Sequence, residues 1–132
     1  YQHTWIKTTG NLPGESTPQD LVELARRHPD TPLICGHIGS TWELAIRTIR
    51  GQSNLYGDLG GNDPCAGLVE MAVRELGPER VLYGSDIGGR SFASQLAKGY
   101  GAQIPEAARR LILGDNLRRL LTPILKAKGL PL

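Results

Sequence analysis

Four short apolar runs, each followed by a stretch with helical periodicity, constrain the fold of this chain more than any other feature. The runs lie at residues 1–6, at "PLICG" (32–36), at "NLYGDLG" (54–60) and at "RVLYGSD" (80–86). Each has the length of a strand, and none alternates cleanly between apolar and polar residues. That pattern suits strands covered on both faces, as in parallel sheets. Between them lie amphipathic stripes: Leu21, Leu24 and Ala25; Trp42, Ala45, Ile46 and Ile49; Val69, Ala72, Val73 and Leu76. Ser16 or Thr17 can cap the first helix, with Pro18 in its first turn. "HPDTP", Gly51 and Gly77-Pro78 end the three helices in turn. Helical patterns follow over 91–97, 105–113 and 116–125, and Gly114-Asp115 reads as a stop and a fresh cap between the last two.

Strand and helix alternating four times signify βαβ units and a parallel sheet. A flavodoxin-like open sheet and one half of a (β/α)8 barrel both satisfy the pattern. The chain has 132 residues, so it is read as one domain, residues 1–132. It begins Tyr1-Gln2-His3-Thr4-Trp5, which reads as though cut inside a strand, so a partial domain is the expectation.

Composition narrows the class. Net charge is +2, and the arginine pairs at 26–27, 109–110 and 118–119 all fall within helical patterns. No basic stripe interleaved with aromatics is present, so nucleic acid is not an expected partner. Cys35 and Cys65 form no C-x-x-C pattern, and no apolar run reaches membrane-spanning length. A reducing, cytoplasmic setting is the default expectation.

The chemistry gathers at one edge. His3 ends the first strand, His37 follows the second, Asp58 lies at the end of the third and Asp86 ends the fourth. In α/β folds the C-terminal edge of the sheet is where ligands bind and catalytic residues sit. His28, before Pro29 at a helix end, is read as structural. Each site residue has a bland alternative: His3 as a core histidine, His37 as a helix cap, Asp86 as an acceptor for the Gly88 and Gly89 amides, Arg90 as a salt-bridge arm. Asp58 is the weakest candidate, with an inter-strand hydrogen bond as its alternative. Two histidines and an aspartate at one edge together favour a divalent metal, because imidazole and carboxylate suit zinc and similar ions.

"QHT", "CGHIG" and "VLYGSD", each closing a strand, resemble the second half of the metal-dependent amidohydrolase superfamily. The resemblance is to the amidohydrolase-related branch that includes decarboxylases of the aminocarboxymuconate-semialdehyde type. "LVELARRHPDTPLICGHIG" and "LILGDNLRRLL" extend it over residues 1–125. It implies a fold: the C-terminal half of a (β/α)8 TIM barrel, strands five to eight. It implies roles: His3 and Asp86 as metal ligands, Asp86 also as proton acceptor, and His37 as a ligand or acid/base group. The implied cofactor is a divalent ion, zinc by default, and the implied reaction is hydrolysis by metal-activated water or non-oxidative decarboxylation. Arg90 would bind a substrate carboxylate. The superfamily's H-x-H pair on strand one is absent from this sequence, so the chain alone carries an incomplete site. A missing N-terminal half-barrel, or a second copy, is then the expected partner, and open sheet edges are an association hazard. A non-catalytic module binding an anion at Gly60-Gly61 or Gly88-Gly89 is the alternative from another class.

Overall fold

The computed structural model describes residues 1–38 and 41–131. Four parallel strands form its sheet: β1 (Gln2–His3), β2 (Leu33–Gly36), β3 (Leu55–Asp58) and β4 (Val81–Leu82). Their spatial order is β1-β2-β3-β4, the order of the chain. A flavodoxin-like sheet reverses strand order at a switch point, and this sheet has no reversal. Its helices also keep to one side: α1 (Pro18–Arg27) packs on α2 (Trp42–Ile49), and α2 on α3 (Leu68–Leu76). Successive strands with helices on one face are the arrangement of a barrel wall, and the fold is half of a (β/α)8 barrel.

The period-2 geometry of a strand divides the side chains between two faces. Cys35, Leu55 and Val81 join Leu21, Val22, Ala25, Ala45, Ile46, Ile49, Leu68, Ala72 and Leu76 in the core between sheet and helices. Their neighbours Ile34, Asp58 and Leu82 point the other way and line a cavity of about 190 Å³ together with Tyr1, His37, Gly84, Asp86 and Leu117. Gly57 lies on the helix side, where an added Cβ would come within 3.1 Å of Ile38 and Leu76. Glycine there lets the strand and α3 approach closely.

Thr17, rather than Ser16, caps α1. Asp20 N–H donates to Thr17 Oγ1 at 3.3 Å, and Thr17 N–H donates back to Asp20 Oδ2 at 2.8 Å. The buried stripe of α1 is Pro18, Leu21, Val22 and Ala25, whereas Leu24 is 40% exposed. The expected stripe through Leu24 is therefore corrected to one through Val22, because Pro18 also faces the sheet and turns the apolar arc toward it.

The expected stop at Gly114-Asp115 is not there. Helix α4 (Phe92–Gly101) is followed by α5 (Glu106–Arg110), a π-helical segment (Leu111–Asp115) and α6 (Asn116–Ala127) without a break between the last three. Asp115 has helical φ −64° and ψ −34° and makes no side-chain cap. The next residue is an anchor: Asn116 is fully buried, and its Nδ2 donates to Pro78 O at 2.7 Å and to Val81 O at 2.9 Å. One turn earlier the Ile112 carbonyl accepts the Tyr83 N–H at 2.9 Å. The C-terminal helix thus covers the outer edge of β4, so the expectation of open edges is corrected on that side.

Replacing Asn116 by Ala leaves the Val81 carbonyl without its donor in a buried site, while Pro78 O keeps the Val81 N–H. That lost partner costs about 1–3 kcal/mol, and urea unfolding of the variant is expected to show a lower midpoint with an unchanged m-value.

Candidate active site

His3, His37, Asp58 and Asp86 all reach the C-terminal edge of the sheet. His3 is the last residue of β1, His37 the first after β2, Asp58 the last of β3, and Asp86 follows β4 by four residues. The His3 and His37 rings meet edge to face with centroids 4.6 Å apart. On the other side of His37, its Nε2 is 3.7 Å from Asp86 Oδ1. The indole of Trp5 stacks on His3 (centroids 6.1 Å) and meets His37 edge-on (6.0 Å). His3 is exposed, while the His37 side chain is only 12% exposed.

His37 is held by its main chain. It has φ 66°, followed by Ile38 at 44°, and Asp86 has φ 47°. Non-glycine residues in this left-handed region cost roughly 1–3 kcal/mol each and persist only where neighbours dictate them. For His37 the neighbours are identifiable. Its N–H donates to Asp58 Oδ2 at 3.3 Å, and its carbonyl accepts the Asn62 side-chain amide. The ring lies on Gly61 (φ 79°), where any Cβ would fall inside van der Waals contact of His37 Nδ1. That Nδ1 is buried and has no hydrogen-bond partner among the described residues.

Asp58, only 4% exposed, is therefore a grip rather than a spare acid. Besides the His37 amide it accepts the Tyr1 hydroxyl at 2.8 Å. An added Cβ at Gly84 would collide with its carboxylate, so the β4 end must be bare of a side chain there. Burial, then the Asp58 carboxylate, push the Tyr1 phenol upward. The same carboxylate lies against Gly60, where a Cβ would be 3.0 Å from Oδ2. A negative charge in that position opposes anion binding by the Gly60-Gly61 loop.

The other expected residues are placed as follows. The Gly89 and Arg90 amides donate to the main-chain carbonyl of Asp86 (3.1 and 3.0 Å), not to its carboxylate. Arg90 Nη1 pairs with Asp63 Oδ1 at 2.9 Å, which is the salt-bridge alternative to a substrate role. His28 caps the C-terminus of α1, and its carbonyl accepts Asn54 Nδ2 at 3.0 Å, a structural role as expected. Sequence reasoning missed Tyr1, Gly61, Asn62 and Lys98. Lys98 sits on α4, where a lysine reads as a solvated face, yet it is 6% exposed.

As a metal site, the donors fit in kind and fall short in number. Imidazole and carboxylate suit zinc or manganese, and the unpartnered His37 Nδ1 marks a ring whose polar atoms are not all spent within the fold. No cluster of three or more His, Cys, Asp or Glu side chains converges on one point among the described residues.

Two outcomes follow from this geometry. Gly61→Ala must accept both a left-handed backbone and a methyl against His37, so a loss of about 1–3 kcal/mol is expected, read by thermal melting with the His37 ring signals monitored by NMR. Burial first, and His3 second, lower the pKa of His37 below its ordinary value. The unfolded chain then binds a proton at His37 before the folded one does. Stability is expected to be fully present above about pH 6.5 and to fall as pH drops through the lowered value, as checked by urea midpoints across that range.

The amidohydrolase family pattern matches residues 14–122. Among solved structures, an amidohydrolase from Burkholderia multivorans with bound zinc is 17% identical with a TM-score of 0.64, over 80% of this chain and 49% of that one. The 5-carboxyvanillate decarboxylase of Sphingomonas paucimobilis is 20% identical at TM-score 0.60, over 75% of this chain and 36% of its own. A dihydroxybenzoic acid decarboxylase from Polaromonas sp. JS666, with bound manganese, gives 20% and 0.60, over 78% and 36%. The chain thus spans between about a third and a half of the structures it resembles. Comparison with curated proteins returns no match. Among the described residues no helix is long and apolar enough to cross a membrane. With the pattern covering most of its length and the half-barrel fold beneath it, the chain belongs to the amidohydrolase family.

Proposed function

We propose that this chain supplies the His3, His37 and Asp86 part of a divalent-metal site in an enzyme that hydrolyses amide- or ester-type bonds. The observation that carries the reading is the succession of three groups at one sheet edge, His3 to His37 at 4.6 Å and His37 to Asp86 at 3.7 Å. His3 and Asp86 would hold the ion, zinc or manganese, with further donors from outside these residues. A bound divalent ion lowers the pKa of a coordinated water toward neutrality.

The remaining steps belong to the protein. His37, kept neutral by burial, has a basic ring nitrogen ready to accept or return a proton. Asp86 carries a carboxylate that its own loop amides at Gly89 and Arg90 leave untouched, so it is open to a cation or a proton. The 3.7 Å between them is longer than a hydrogen bond, and a bridging water or a small rotation closes it. Trp5 shields one side of both imidazoles. A substrate carboxylate would reach Arg90 by displacing Asp63 from an exposed ion pair, which such pairs permit at little cost.

Non-oxidative decarboxylation of a carboxylate is the second reading, favoured by decarboxylases among the structural neighbours, the two described above included. The same His3, His37 and Asp86 would serve it. The missing donors are assigned to a complementary half-barrel, from the same polypeptide or a second copy. The cavity lined by Tyr1, Ile34, Leu82 and Leu117 is the face such a half would cover.

Calorimetric titration with zinc and with manganese, on this chain and on Asp86→Ala, tests the assignment. Binding that weakens at least about tenfold in the variant is expected, in line with loss of a ligand. Equal binding by both chains would remove Asp86 from the site.

A further inference from the structure

The buried lysine of α4 reaches the candidate site through one loop. Lys98 Nζ donates to Leu59 O at 2.5 Å and to Asn62 O at 2.7 Å. Gln95, one turn earlier on the same helix and 1% exposed, donates its Nε2 to the same Asn62 carbonyl at 3.2 Å. Helix α4 therefore grips both ends of the segment 59–62 that follows β3. The opposite side of that segment is the seat of His37: Gly61 lies under its ring and the Asn62 side chain takes its carbonyl.

A lysine is an expensive way to hold two carbonyls. Both partners are neutral, and burial lowers its pKa to about 8. Lysines are rarely buried unless paired, and a helix could pack here with an aliphatic side chain. What the ammonium adds is two donors on one atom, fixing the distance between residue 59 and residue 62. Only with that distance fixed do Gly61 and Asn62 stand together beneath His37.

We propose that Lys98 is a positioning residue for His37, acting by clamping the Leu59 and Asn62 carbonyls so that Asn62 holds His37 in its left-handed conformation. Its consequence for catalysis rests on the role of His37 proposed above, but its geometry does not. The chain of contacts runs Lys98 to Asn62 main chain, Asn62 side chain to His37 main chain, and His37 ring to His3 and Asp86. A residue on the helix layer thereby sets the orientation of a ring on the sheet edge.

The experiment reads the ring directly, without metal or substrate, so it stands apart from the metal titration. The His37 ring resonances carry ring-current shifts from Trp5 and His3, and His28, exposed at the end of α1, is the internal control. In Lys98→Met, kept folded by circular dichroism, the His37 signals are expected to move toward those of an exposed histidine while the His28 signals stay. Asn62→Ala should move the same signals, the double variant should move them no further, and Lys98→Arg should restore them in part. If Lys98→Met does not fold, Lys98→Gln, whose amide NH2 sits on a side chain one bond shorter and cannot reach both carbonyls as Nζ does, is read in its place. Unchanged His37 signals in a folded Lys98 variant would overturn the proposal, as would a shift in the Lys98 variant that Asn62→Ala does not share.

Discussion

The site depends on two hydrogen bonds to one residue's backbone. His37 leaves β2 in a conformation that costs free energy, and it stays there because Asp58 holds its amide and Asn62 holds its carbonyl. Release either and the local preference is for the chain to relax out of the left-handed region. The imidazole would then leave both His3 and Asp86. Backbone strain at a sheet edge next to ionisable side chains is a common mark of a functional site, and here the restraints that sustain it come from the neighbouring βα unit, Asp58 at the end of β3 and Asn62 in the loop after it. That makes the orientation of His37 a property of the assembled sheet, since β2 alone cannot enforce it.

The same arrangement explains the placement of buried charge. Asp58 and Lys98 lie on either side of the segment 59–62, both nearly inaccessible. They share no ion pair. Each instead satisfies groups of the backbone or a phenol: Asp58 the His37 amide and Tyr1 hydroxyl, Lys98 the two carbonyls. Burying two charges is unfavourable unless each is well hydrogen-bonded. Two oppositely charged groups on the two sides of one short segment also attract through a low-dielectric interior. The segment is thus pinned from the helix side by a cation and flanked on the barrel side by an anion.

How much of this the sequence reveals divides along a physical line. The four βα units follow from apolar runs and stripes, because burial against a single sheet face leaves a periodic trace. The placement of His3, His37, Asp58 and Asp86 at one edge follows from each lying at a strand's end. What the sequence conceals are contacts between distant residues. Asn62 reaching back to His37, or Lys98 crossing from α4 to Leu59, leaves no local pattern, and a lysine on an amphipathic helix gives the same signal whether solvated or buried. Gly114-Asp115 misleads for a related reason. Gly-Asp carries the composition of a helix end and a fresh cap, and only the tertiary partners of Asn116, at and just before β4, show that the helix runs on through it.

That anchor also bears on the outer edge of β4. The Leu59 N–H bonds to Leu82 O, so the polar groups of Leu82 face β3 and those of Val81 and Tyr83 face outward. An outward-facing row of this kind is the template for unwanted strand pairing. Here Asn116 takes the Val81 carbonyl and Ile112 takes the Tyr83 amide, so the π-helical segment supplies in place of a strand what a neighbouring strand would supply. A π turn shifts the helical hydrogen-bond register by one residue, which suits it to offering a carbonyl sideways. At β1 the loop does similar work, with the Trp5 N–H on Ser16 O and Gln2 Nε2 on His3 O. These edge groups find partners within the chain, while Tyr1, Leu117, Leu121 and Ile124 stay 39–71% exposed. For the complementary half-barrel proposed above, pairing at the β4 edge would require it to displace Ile112 and Asn116, whereas the exposed apolar side chains present no such obstacle.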